Sequence, residues 1–218
     1  MANVTIEPGA MLPGQFYHLL NAAIAPRPVS WISSLSAAGT ANLAPHSYTT
    51  VFALNPPIVG FVSTTLKDTV RNVRATGDFV YHIACDALVE RLNRTAADFP
   101  PDVSEFDWAG LTKVESDLVK SFRVAEAPIA FECKLVEVIQ IAGQESLLVL
   151  GEILRAHLAE EILTDGRIDP VKLQPLGRLS GSQFSRLGEL FNLARPTFAG
   201  LLADGAEPIA PIDSDGRA

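Results

Sequence analysis

Cysteine, positive charge and long apolar runs are scarce in this chain, and each scarcity excludes a class of protein. Only two cysteines, Cys85 and Cys133, occur in 218 residues. They lack the paired spacing of a zinc site, and each sits in an apolar run, so they read as buried, inert thiols. Lys and Arg total 17 against 25 Asp and Glu, a net charge of -8. Nucleic acids and anionic membranes both demand a net basic face, so a general binder of either is excluded, although a local basic pocket is not. No apolar run approaches the roughly 18 residues of a membrane helix, and no basic-then-apolar leader pattern is present. The expectation is a soluble, cytoplasmic protein. A Walker loop, a nucleophile elbow and a G-x-G-x-x-G fingerprint are also missing.

What is present suits a single strand-rich domain. Hydrophobic residues make up 48% of the chain, enough for a sizeable core, and 15 Pro with 15 Gly supply many turns. The expected organisation is one domain over residues 1–197, with residues 198–218 as a loose Ala/Gly/Pro/Asp tail. Residues 16–24 suggest a short helix. Strands are expected over 27–36, 40–53 (broken by Pro45), 55–63 and 78–85, with a long hairpin over 130–141 and 146–158. Between them, Val70 and Val73 at helical spacing before Gly77 predict a helix from Asp68. Leu88, Val89 and Leu92 predict a second helix over 86–97, capped by Asp86. Residues 99–116 have little periodicity and read as a surface loop. Strands not regularly separated by helices argue for an antiparallel barrel or sandwich.

Two segments carry unusual chemistry. "STTLKDTVRN" places Ser63, Thr64, Thr65 and Lys67 just before a helix start. Free N–H groups and the helix dipole favour an anion there. The alternative is a helix capped by Asp68 or Thr65, with Lys67 solvated. "ANLAPHSYTT" gathers Asn42, His46, Ser47, Tyr48, Thr49 and Thr50 around Pro45. Such a strand either lies at a solvated edge or lines a polar ligand. His46 could act near such a ligand or be an exposed spacer, and His82 reads as a satisfied core or cofactor-adjacent histidine rather than a proton donor. Trp31 reads as core and Trp108 as a loop anchor.

In order and spacing, the elements RP, glycine turn, N-x-AP-x-S, NPP, KDT and TG-x-F, with the later "GRLSG" and "FNLARP", resemble the flavin reductase-like FMN-binding proteins. The likeness covers about residues 12–197. It implies a mainly β fold with short helices, a six-stranded antiparallel split barrel, and a homodimer with FMN near its interface. It also implies that Asn42, Ala44, Pro45 and Ser47 lie along the flavin ring and ribityl chain. Ser63, Thr64, Thr65, Lys67 and Thr69 would hold the ribityl-phosphate end, and Arg27 would reach the same region. His82 and Phe184 depart from the asparagine and tyrosine common in the family. The implied function is an NAD(P)H-dependent flavin reductase in which a nicotinamide passes hydride to flavin N5. The protein supplies position and access, and no catalytic side chain is assigned. Alternatives are a flavoredoxin-like electron carrier without nicotinamide activity and a non-catalytic FMN binder. A monooxygenase or another acceptor is a possible electron partner in this reading.

Overall fold

The computed structural model describes residues 3–143, 145–203, 205 and 207. Contacts divide the chain into two units, residues 18–187 in one and residues 1–17 with 188–218 in the other. The larger unit is built on one antiparallel sheet. Its strands are β1 (Ser30–Leu35), β2 (Ala41–His46), β3 (Thr49–Leu54), β4 (Pro57–Ser63), β5 (Asp78–Ile83), β6 (Ile129–Gln140) and β7 (Leu147–Leu158). Their order is β2-β1-β5-β6-β7-β4-β3, so the sheet has seven strands where six were expected, and β2 and β3 are its edges. The stretch expected as one broken strand over 40–53 is in fact these two edges, joined by a bend at Ser47 and Tyr48. Pro45 on β2 accords with an edge, because proline cannot donate to a ladder on both sides.

Side chains packed on the sheet form two main cores. Trp31, Leu43, Leu92 and Phe106 anchor one; Ile32, Phe61, Phe79 and Val149 anchor the other. Trp31 is core as expected, and its indole N–H donates to Thr95 Oγ1 at 2.8 Å. Gly151 on β7 is needed for close approach, since a Cβ there would overlap the Phe79 ring.

Helix α1 spans Pro13–Ala23, and helix α2 (Asp68–Thr76) buries Val70 and Val73 against the second core and stops at Gly77, whose φ of 79° is left-handed. Burying each such valine is worth about 1.5–3 kcal/mol. Two expectations need correction. Asp86 does not cap a helix: it lies inside a short 3-10 turn (Asp86–Leu88), and its carboxylate accepts from Arg186 Nε at 2.9 Å. The segment 99–116 is not merely a surface loop. It contains a helical turn, Glu105–Ala109, that buries Phe106 completely and ends at Gly110 with φ 64°.

In the smaller unit, Phe198–Ala203 is helical inside the stretch expected as a loose tail. The remainder of that expectation, over 208–218, lies outside the described residues. Among the described residues no helix is long and apolar enough to cross a membrane.

Candidate functional site

The candidate site lies where the edge strand β2 meets the start of α2. Along β2, Ala41 and Leu43 turn into the Trp31 core, which leaves Asn42, Ala44 and His46 on the opposite face. These three, with Pro45, line a cavity of about 260 Å³ whose other walls are residues 66–69 and 95–99 with Arg71 and Glu105. A second cavity of about 370 Å³ shares Asn42, Asp68, Arg71 and Glu105 with it.

The first turn of α2 is open. Its N-cap residue is Lys67, and no side chain makes a capping bond there. The Asp68 carboxylate instead lies 2.6 Å from Arg71 Nη1, so the reading of Asp68 or Thr65 as the cap is not what forms. Among the described residues no acceptor meets the N–H groups of Asp68 and Thr69. Lys67 Nζ pairs with Asp98 at 3.0 Å, with the two side chains 57% and 90% exposed. Such an exposed pair is worth at most about 1 kcal/mol and yields easily to a ligand.

Of the residues expected at the site, Asn42, Ala44, Pro45, Lys67 and Thr69 come together around the cavity. Ser47, Ser63, Thr64 and Thr65 are not on its lining. Ser63 is buried and donates to the Thr65 carbonyl at 2.7 Å, while Thr64 is exposed. Arg27 is committed elsewhere. Its Nη1 donates to the Asn21 and Ile24 carbonyls at 2.7 and 2.8 Å, and its Nη2 to Leu179 O at 2.9 Å. It also sits 5.6 Å over the Tyr48 ring.

Both internal histidines are neutral. Burial pulls His46 down to about 4, opposed by a backbone contact with Val62 and helped by nearby Lys67. Its ring packs 4.4 Å from that of Phe61, and its Nε2 is buried without a partner. His46 is therefore not an exposed spacer. His82 is also held at about 4 by burial. The Val124 N–H donates to its Nε2 at 3.0 Å, so Nδ1 carries the proton and donates to Trp31 O at 2.9 Å. This is the satisfied core histidine anticipated from the sequence.

Glu105 was missed. It is 7% exposed and joins the helical turn after Ser104 to β2: its carboxylate accepts from Asn42 Nδ2 at 2.7 Å and from the Leu43 N–H at 2.9 Å. Burial pushes its carboxyl up, against the pull of these bonds. A signal existed, because Phe106 and Ala109 are three apart between a serine and a glycine. Trp108 is 62% exposed and packs on Phe99, a cavity residue, at 5.9 Å between ring centroids, so Phe106 rather than Trp108 anchors the segment. A second polar group went unread. Glu132, fully buried, accepts from His157 at 2.6 Å and from the Asp117 and Leu118 N–H groups, and Arg155 holds Asp117 at 2.6 Å. With its acids bonded to N–H groups, His157 and Arg155, it ties the 115–121 segment to the long hairpin.

The open antiparallel sheet with short helices, with a polar cleft between an edge strand and an uncapped helix start, is similar in fold to a split barrel domain protein from Shewanella frigidimarina, at a TM-score of 0.78 and 23% identity over 86% of this chain and 96% of that chain. Comparison narrows this. The family described as flavin reductase like domain matches residues 22–173, and the chain belongs to that family. An uncharacterized protein of Halalkalibacterium halodurans is 35% identical over 203 residues, covering 89% of this chain and 97% of its own. Among solved structures, nitrilotriacetate monooxygenase component B from Bacillus cereus is similar at 36% identity and a TM-score of 0.85, with 88% of this chain and 100% of that chain covered. The 2-nitrobenzoate 2-nitroreductase NbaA of Pseudomonas fluorescens is similar at 30% identity and a TM-score of 0.82, covering 89% and 98%.

Proposed function

We propose that this cleft binds FMN and that the protein is an NAD(P)H-dependent flavin reductase. The observation that carries the reading is the uncapped start of α2. Two N–H groups that meet no acceptor among the described residues, those of Asp68 and Thr69, lie beside a lysine paired with an exposed aspartate. The donors fit a phosphate, since N–H groups at a helix N-terminus and an ammonium both favour an anion. The cost of Asp68 nearby is offset by its pairing with Arg71. Asn42, Ala44 and Pro45 would lie along the ring and ribityl chain. Thr64 and Thr65 lie three and two residues before Lys67 and would complete the outer rim.

Bound FMN would supply the two-electron redox chemistry, while the chain supplies orientation, a dry wall and access. The missing dinucleotide fingerprint suits a nicotinamide that binds briefly without a Rossmann domain. The names of the similar monooxygenase component and nitroreductase support an oxidoreductase with a downstream acceptor. The proposed protein is a cytoplasmic homodimer with FMN near the interface. It is tested by the visible spectrum of the purified protein, identification of the released flavin, and anaerobic mixing with NADH and NADPH. Catalytic bleaching of the flavin is expected. A yellow protein that bleaches only slowly with both nucleotides would instead favour the electron carrier, and failure to take up added flavin would overturn the reading.

A further inference from the structure

The hydrogen bonds beneath the cleft run in fixed directions, and Glu105 sets them. An ionised carboxylate only accepts, so the Asn42 amide must turn its NH2 toward Glu105 Oε1, at 2.7 Å. Its other carboxylate oxygen takes the Leu43 N–H at 2.9 Å, which leaves the acid no freedom to rotate. Asn42 Oδ1 then faces Thr69 Oγ1 at 3.1 Å and Ser34 Oγ at 3.2 Å, and both hydroxyls donate to it. Asn72 Nδ2 donates in turn to Ser34 Oγ at 3.2 Å. With these protons assigned, two groups of this network remain for the cavity that Asn42 and Thr69 line. One is the second hydrogen of Asn42 Nδ2. The other is the lone-pair side of Thr69 Oγ1.

A donor beside an acceptor matches a hydroxyl group, which takes one hydrogen bond and gives one. It does not match a phosphate oxygen, which only accepts and would face the Thr69 lone pairs. We propose that Glu105 is a positioning residue that locks Asn42 and Thr69 into a donor–acceptor pair for a hydroxyl of the flavin's polyol chain. The phosphate is left to the α2 N–H groups and Lys67. This rests on the flavin reading above and adds a residue from the 99–116 segment to it.

Three ligands separate the parts: FMN, riboflavin (polyol without phosphate) and lumiflavin (ring without polyol). Glu105→Gln keeps the shape but puts an NH2 where the network needs an acceptor. Losing one well-made hydrogen bond in a buried site lowers affinity about tenfold. The expected result is an equal loss of about tenfold for FMN and riboflavin, with lumiflavin within about twofold of wild type. Thr69→Val is expected to give the same pattern, and the double variant no further loss, because both changes remove one coupled interaction. Thermal melting accompanies each titration, and if Glu105→Gln fails to fold, the Thr69→Val ligand pattern decides. Equal weakening of all three flavins, weakening of FMN alone, or no weakening overturns the proposal while the flavin reading stands. A wild-type protein that binds no flavin overturns both.

Discussion

At the residue scale, Lys67 and His82 are opposite in what surrounds them. Lys67 is mostly in water, and its ammonium pairs with Asp98. If it holds the phosphate, Lys67→Ala removes one charge-assisted bond of about 1.5–3 kcal/mol, a loss of roughly ten- to a hundredfold in FMN affinity. Riboflavin affinity is expected to stay unchanged, and fluorescence titration with both flavins checks the contrast. Asp98→Ala removes the competing carboxylate and is expected to tighten FMN a few-fold, as befits an exposed pair of at most about 1 kcal/mol.

His82 is completely buried and works only as the neutral imidazole, giving one hydrogen bond and taking one. Its folded value of about 4 lies below the ordinary 6.5. The unfolded chain therefore binds the proton more readily, so this contribution to stability is fully present above pH 6.5 and is lost as pH falls toward 4. The loss is on the order of 3 kcal/mol, with His46 adding in the same direction and the same window. Denaturant midpoints measured from pH 7.5 down to pH 4 should fall accordingly. His82→Asn keeps a donor and an acceptor without a titrating group, so its profile is expected to be flatter by about one proton.

At the element scale, two segments depend on packing that neither propensity nor period expresses. Strand β7 carries Gly151 at its interior, which on propensity alone weakens a strand. The ring of Phe79, fully buried, occupies the space a side chain would need. Gly151→Ala is therefore expected to destabilise by about 1–3 kcal/mol through overpacking, measured by urea denaturation. The helical turn Glu105–Ala109 is a second case. Phe106 is 0% exposed within a stretch that looks like loop. Phe106→Ala is expected to cost about 3–5 kcal/mol. Because Glu105 is the next residue, it should also loosen the Asn42 network and weaken flavin binding.

At the scale of the whole molecule, the strands of the sheet carry apolar side chains that reach water. Val51, Phe52 and Leu54 on β3 are 59%, 48% and 84% exposed, and Val136, Ile139, Leu154 and Leu158 on β6 and β7 are also exposed. In the smaller unit, Phe191 and Leu193 are 84% and 87% exposed. Exposed apolar residues on the sheet are what a second copy would cover in the proposed homodimer. Light scattering at micromolar concentration is expected to give twice the 23.4 kDa monomer mass. Phe52→Glu is expected to shift the population toward monomer and, if FMN sits near the interface, to weaken its binding.

Local signals carried much of this protein. The Val70/Val73 spacing and Gly77 located α2 at the residues where it forms, and the alternation and flanking turns located the long hairpin. The order of short motifs from Arg27 to the "GRLSG" segment was enough to identify the family. These features depend on neighbours in sequence, where helical period, turn chemistry and β-propensity act directly. What only the tertiary structure decided were pairings across distance. The sequence could not tell whether the first turn of α2 was capped, because that depends on Asp68 turning to Arg71 instead. Nor could it tell that Arg27 is held by three carbonyls, or that the acid of an apparent loop lies under Asn42, 63 positions earlier. A buried polar group is placed by the partner that compensates its lost hydration, and that partner is fixed by the folded chain rather than by its neighbours in sequence.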